Sequence, residues 1–206
     1  MRFLIITKKQ LMLGICALIA VIAVVIGSAT AFAGNDRKLP IYCVETEKKQ
    51  IAISFDAAWG NDDTQTLIDI LKEYNVPATF FVVGSWVDKY PESVKALSDA
   101  GHQVQNHSNT HPHMPQLSKH QMRDELESCN SKIKAITGVC PTLLRPPYGD
   151  YDNALIETVD SLGMSAIQWS VDSLDWKESA TPDSIFKRVT GKVTNGSIVL
   201  FHNDAD

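Results

Sequence analysis

The sequence predicts an α/β domain in which parallel strands alternate with helices and close as a barrel or as a doubly wound sheet. Three observations carry that expectation. From residue 41 onward, short β-branched or aromatic runs alternate with stretches of helical apolar spacing, the order that parallel strands with helical crossovers produce. The polar residues best suited to chemistry come directly after the strand runs, where the ligand-binding rim of such folds lies. A length of 206 residues accommodates one domain of ordinary size plus an appendage, but not two full domains.

Residues 1–33 form the appendage. Arg2, Lys8 and Lys9 precede a run from Leu11 to Ala33 that holds no charged residue, and Ala31-Phe32-Ala33 offers small residues where a signal peptidase reads. The run is also long enough to cross a bilayer core, which takes about 20 residues. A cleaved signal peptide and an uncleaved apolar helix serving as membrane anchor are both expected forms, and either exports the rest of the chain. Ile15 precedes Cys16 where a lipoprotein signal wants a small residue, which argues against lipidation. Residues 34–40 read as a polar linker and residues 41–206 as the folded domain.

Within the domain, Ile41 to Thr46 and Gln50 to Phe55 read as two neighbouring strands split by Glu47-Lys48-Lys49. Asp62-Asp63-Thr64 opens a helix carrying Leu67, Ile68, Ile70 and Leu71, its carboxylates expected to cap the positive end. Ala78 to Val83 is a buried strand. Pro91 starts a second helix through Ala100, stopped by Gly101, and Val104 lies in a short strand. Ser118 to Thr137, with a Ser cap, apolar Met122, Leu126, Ile133 and Ile136, and Gly138 as terminator, predicts the longest helix. Thr142 to Arg145, Ser165 to Trp169 and Ser197 to Phe201 are further strands, with helices at Asp152 to Leu162 and Pro182 to Val193 between them. Because the sequence ends at Asp206 soon after an apolar strand, the barrel is expected to be truncated there.

Composition narrows the function. Hydrophobic residues make up 44% and charged residues 21%, with 11 Gly and 9 Pro, the profile of a packed globular protein. A formal net charge of -5 does not build the positive surface that phosphate backbones attract, so no nucleic-acid partner is expected. Outside the export segment stand Cys43, Cys129 and Cys140, an odd set in which Cys129 and Cys140 either pair in an oxidising compartment or remain thiols. No CxxC or Cys-His zinc pattern is present.

Several residues at strand ends suit catalysis, and each also has a plain structural reading. His107 and His111, four positions apart, can turn both rings toward one metal ion, although the spacing also occurs by chance and Pro112 forbids a long regular helix there. Asp56, a further candidate, reads on its own as a cap or turn residue at the end of a strand. Arg145, in the stiff Arg145-Pro146-Pro147-Tyr148-Gly149 loop, is a surface charge or a fixed cation that orients a carboxylate and holds its pKa low. Asp172 to Trp176 reads as an acidic turn with an anchoring aromatic, and His202 as a capped loop histidine, unless their strand-end placement serves chemistry. His102, His113 and His120 read as surface or loop residues.

Taken in order, Phe55-Asp56, His107-Ser108-Asn109-Thr110-His111, Arg145 to Gly149, Asp172 to Trp176 and Leu200-Phe201-His202 resemble the successive motifs of polysaccharide deacetylases with the NodB homology domain, carbohydrate esterase family 4. Ser54 to Gly60 and Tyr42 to Thr46 look closer still to the sporulation-associated deacetylases of the PdaB type. The resemblance implies a distorted (β/α) barrel that hydrolyses the N-acetyl amide of a glycan outside the cytoplasm, either peptidoglycan or another N-acetylglucosamine polymer. It also implies roles. His107 and His111 hold a divalent metal, Asp56 deprotonates water, Arg145 positions Asp56, and His202, tuned by Asp175, protonates the leaving nitrogen. The Tyr148 N–H helps stabilise the oxyanion, while Trp176 and Leu200 wall the acetyl pocket.

One position departs from the family. A second Asp usually stands directly after the base as a metal ligand, and Ala57 occupies that place. Two neutral nitrogens favour zinc, with cobalt or manganese as alternatives, over magnesium. A weakly metallated enzyme, another catalytic arrangement and an inactive glycan-binding relative are the three expected forms.

Overall fold

The computed structural model describes residues 37–204 together with Lys8, Lys9 and Met12. The chain divides into two units, Met1–Arg37 and Lys38–Asp206, and the second carries the fold. The predicted signal peptide or anchor lies outside the described residues but for those three side chains. Among the described residues no helix is long and apolar enough to cross a membrane.

Among the described residues seven strands form one sheet: β1 (Ala52–Ala57), β2 (Thr79–Val82), β3 (Gln103–Asn106), β4 (Leu143–Leu144), β5 (Ser165–Ala166), β6 (Val171–Asp172) and β7 (Ile198–His202). They lie in the order β5-β4-β3-β2-β1-β7-β6, and every strand pairing is parallel. Helices α1 (Thr64–Glu73), α2 (Gly84–Lys89), α3 (Pro91–Asp99), α4 (Lys119–Thr137), α5 (Asn153–Ser161) and α6 (Pro182–Thr190) interleave with them. The sheet curls into the half-barrel expected of a distorted (β/α) fold.

Local chemistry explains the best-defined element. Ser118 accepts from the Gln121 N–H while the Gln121 side chain accepts from the Ser118 N–H, a reciprocal cap that satisfies two donors at the start of α4. Gly138, in the left-handed region at φ 76°, ends it. Between them Met122, Leu126, Cys129 and Ile133 form a buried stripe at helical spacing. Burying side chains of this size contributes about 1.5–3 kcal/mol each. Cys129 packs its thiol under the Val82 carbonyl, and burial pushes it up to about 12. It is a free thiol, as are the exposed Cys43 and Cys140, so the bridge considered between Cys129 and Cys140 is absent.

Three expectations need correction. Residues 41–46 are not a strand beside β1, because β2 and β7 already occupy both of its edges. Instead Ile41 bridges Ile167 in parallel and Cys43 bridges Ser197 in antiparallel fashion. This segment thereby ties backbone beyond β5 to backbone before β7. Asp63 stands at the N-cap of α1 without capping it; its carboxylate accepts from the Asp204 N–H at 2.8 Å and the Asn203 side chain at 3.3 Å. His102 is buried, its Nδ1 accepting from the Ala78 N–H at 3.3 Å, and burial lowers its pKa. The short elements α2 and β6 were not expected from the sequence.

Gly196 is where the bridging segment crosses the chain. It sits at φ 77°, and a Cβ there would lie 1.7 Å from the Val44 carbonyl oxygen. Gly196→Ala is expected to destabilise the domain by more than about 1 kcal/mol through backbone strain and this clash. Urea unfolding with an unchanged midpoint would contradict the close crossing.

Candidate active site

The C-terminal strand ends open into one pocket of about 490 Å³. Asp56, His107, His111, Tyr148, Trp176, Leu200 and His202 line it, as do Trp59, Trp169, Asp172 and Asp204. Arg145 and Asp175 are absent from the lining and act from behind it. The side chains expected from the sequence therefore do come together, although Asp56 and His202 lie within strands rather than after them.

The floor is a buried ion pair. Arg145, with 0% exposure, donates through Nη1 to Asp56 Oδ1 at 2.8 Å and through Nη2 to Ser54 Oγ at 2.8 Å. Its guanidinium lies 4.2 Å from the Phe81 ring centroid. Burial alone would raise the Asp56 pKa, but Arg145, His107 and His202 outweigh it and hold the carboxyl below the usual range. Asp56 is thus an ionised base at neutral pH. It is fixed in place by a residue 89 positions away.

His107 donates from Nδ1 to the Arg145 carbonyl at 2.7 Å, which leaves Nε2 to face Asp56 Oδ2 at 3.5 Å. Burial keeps this imidazole neutral by lowering its pKa against the pull of Asp56. The His111 ring lies 4.9 Å from that of His107, and burial and His107 push it down to about 4. Both rings are therefore neutral nitrogen donors.

The loop between them depends on its own Ser108 and on Asn106 and Glu125 outside it. Ser108 and His111 have positive φ, at 66° and 61°. Such values are costly without support. Asn106 Oδ1 accepts from the Ser108 N–H at 2.7 Å, and Ser108 Oγ accepts from the His111 N–H at 3.0 Å. From α4, the Glu125 carboxylate accepts from the Asn109 N–H, the Thr110 N–H and the Thr110 hydroxyl, each at 2.8 Å. Nothing in the sequence around Glu125 signals this role.

On the opposite wall, Asp175 accepts from the His202 N–H and from its Nδ1, both at 2.7 Å. Burial would lower the His202 pKa, but Asp175, Asp56 and Asp172 raise it. His202 Nε2 is left for a substrate. Tyr148 adopts φ 59°, and its N–H makes no hydrogen bond among the described residues. Its ring is held between His111 and His113, 4.6 Å and 4.1 Å away, and His113 is tied to Asp150 at 2.6 Å.

Polysaccharide deacetylases are in general metal-dependent. The donor set here falls short of a complete centre. His107 and His111 offer two nitrogens, but the carboxylate that would complete a His-His-Asp set is replaced by the buried methyl of Ala57. Among the described residues no group of three His, Cys, Asp or Glu side chains is arranged to hold a metal ion. Asp56 is already committed to Arg145.

The family model described as Polysaccharide deacetylase matches residues 44–167. A peptidoglycan-N-acetylglucosamine deacetylase of Bacillus cereus is 30% identical over 86% of this chain and 64% of its own length. A peptidoglycan-N-acetylmuramic acid deacetylase of Bacillus subtilis is 38% identical over 66% of this chain and 52% of its own. The chain spans less than two thirds of the length of these relatives. Among solved structures, a CE4 family pseudoenzyme from Bacillus anthracis superposes with a TM-score of 0.78 at 36% identity, covering 81% of this chain and 59% of the other. A mutant of that pseudoenzyme described as having restored enzymatic activity superposes equally, with a TM-score of 0.78 at 38% identity, covering 81% of this chain and 61% of the other.

The His202 pair has a pH signature. A raised folded pKa means that the stabilisation is complete below the unfolded value, about 6.5, and is lost as pH rises through the folded value. The wild-type domain is expected to lose stability as pH rises above about 6.5, and Asp175→Asn to remove that slope while lowering the His202 midpoint in ring-proton NMR titration. Equal slopes and equal midpoints in both proteins would contradict the pairing.

Proposed function

Because this chain belongs to the polysaccharide deacetylase family, we propose that it removes N-acetyl groups from amino sugars of peptidoglycan outside the cytoplasm. The observation that carries this reading is the pairing, in one pocket, of an ionised base held by Arg145 with an imidazole held by Asp175. Amide hydrolysis needs both at once: a proton must leave the attacking water, and another must reach the departing nitrogen.

In this reading Asp56 takes the proton of a water that attacks the acetyl carbon. Negative charge builds on the carbonyl oxygen, and the unengaged Tyr148 N–H, fixed by its positive φ, donates to it. His202 then gives its proton to the nitrogen as the carbon–nitrogen bond breaks, releasing acetate and a free amine. Its raised pKa keeps that proton available near neutrality. Trp176 and Leu200 enclose the methyl group. The deacetylase names of the relatives and the apolar segment at residues 1–33 support a cell-wall setting, and the PdaB-type likeness extends it to the spore wall.

Ala57 favours a second reading, a glycan-binding relative without turnover, and the pseudoenzyme neighbour supports it. Zinc, ahead of cobalt or manganese, is the metal that His107 and His111 would hold weakly. Acetate release from N-acetylglucosamine oligomers and peptidoglycan separates the readings. The enzyme reading expects release that falls at least about a hundredfold in Asp56→Asn and in His202→Ala, the scale of a lost general acid or base. Glycan retention with no acetate supports the binder. Ala57→Asp is expected to tighten zinc binding at least about tenfold by calorimetry, and an unchanged affinity would count against His107 and His111 as ligands.

A further inference from the structure

The least expected residue in the pocket is Trp59. It is 55% exposed, yet its ring sits 5.9 Å from that of His202 and 6.3 Å from that of His111, at the mouth of the pocket. With Tyr148 and Trp176, also exposed and lining the pocket, it forms a cluster of exposed aromatic surface of the kind that marks a ligand-binding groove. The loop that bears it is immobilised. Trp86 Nε1 donates to the Gly60 carbonyl at 2.8 Å, the Asn61 carbonyl accepts from the Thr64 N–H at 3.1 Å, and the Asn61 side chain donates to Ser93 Oγ at 2.9 Å. Gly60 leaves no room for a side chain, since a Cβ there would meet the Asp204 carboxylate. Trp59 is therefore a rigid, exposed plate whose edge borders the reacting groups, the property that makes an aromatic ring a low-cost binding surface.

Charge supplies the second half. The lining contains Asp56, Asp172 and Asp204 and, among the described residues, no Lys or Arg. The cations nearest the chemistry are committed, Arg145 to Asp56 and His202 to Asp175. Lys177, over the Trp176 ring, and Arg188, bonded to the Asp172 carbonyl, are not lining residues. With Asp56 balanced by Arg145 and His202 by Asp175, an anionic sugar would meet the Asp172 carboxylate with no lining Lys or Arg among the described residues to receive it.

We infer that the site selects an uncharged N-acetylhexosamine, with the apolar face of the pyranose stacked on Trp59, and rejects a sugar whose ring carries a carboxylate. This rests on the deacetylase reading and deepens it. N-Acetylglucosamine fits; N-acetylmuramic acid, which differs by an acidic lactyl ether on O3, does not.

Binding tests this whether or not the chain turns over. Calorimetry with chitotetraose is expected to show affinity falling about tenfold in Trp59→Ala and largely restored in Trp59→Phe. In competition against chitotetraose, N-acetylmuramic acid is expected to displace at least about tenfold more weakly than N-acetylglucosamine, with the gap narrowing in Asp172→Asn and in high salt. Equal affinities of wild type and Trp59→Ala, or equal displacement by the two monosaccharides, overturn the inference and leave the deacetylase reading standing. If neither chitotetraose nor peptidoglycan is bound, that reading falls, and the inference with it.

Discussion

Everything in the pocket depends on the Asp56–Arg145 pair. A guanidinium with no solvent contact is tolerable only because a carboxylate, a hydroxyl and an aromatic face surround it. That requirement joins the central strand to the loop after β4 and fixes how the sheet must curl. It also selects the tautomer of a neighbour, since the Arg145 carbonyl accepts a hydrogen bond from the Nδ1–H of His107 and turns the ring's other nitrogen to the pocket. One residue thus positions Asp56 through its side chain and the first imidazole through its backbone. Exchanging Arg145 for a lysine would supply charge without the fork that reaches Asp56 and Ser54 together.

The architecture was legible where a local rule was strong. Ser118, Gln121 and Gly138 announce both ends of α4, and Pro91 with Gly101 brackets α3, because caps and breakers act within a few residues. The runs at β1, β2 and β7 are apolar enough to read as buried strands. Where structure rests on distant partners, the sequence was silent or misleading. Residues 41–46 look like a strand, but their partners at Ala166 and Gly196 are chosen by the curl of the sheet. Asp63 looks like a helix cap, but the chain at Asn203 and Asp204 competes for the same carboxylate.

The site divides in the same way. Asp56, His107, His111, Arg145 and His202 carry side chains whose chemistry is recognisable in isolation and whose order along the chain is a pattern. Glu125 has no such mark, and Trp59 stands out only as one letter of the Ser54 to Gly60 run. Glu125 matters because α4 passes beside the histidine loop, and Trp59 because its own loop is pinned under Trp86. The metal question sits between these cases. Ala57 shows in the sequence that a carboxylate is missing, and the geometry adds that Asp56, already bound to Arg145, is no ready substitute.

The placement of Cys129 bears on how the fold meets an oxidising environment. In the finished fold its sulfur is sealed against the β2 carbonyl at Val82 and holds its proton tightly, so among the described residues oxidants and disulfide exchange reach Cys43 and Cys140 but not Cys129. Before the fold closes, that protection does not exist. A chain that folds under oxidising conditions must therefore bring α4 onto the sheet before its sulfurs pair wrongly.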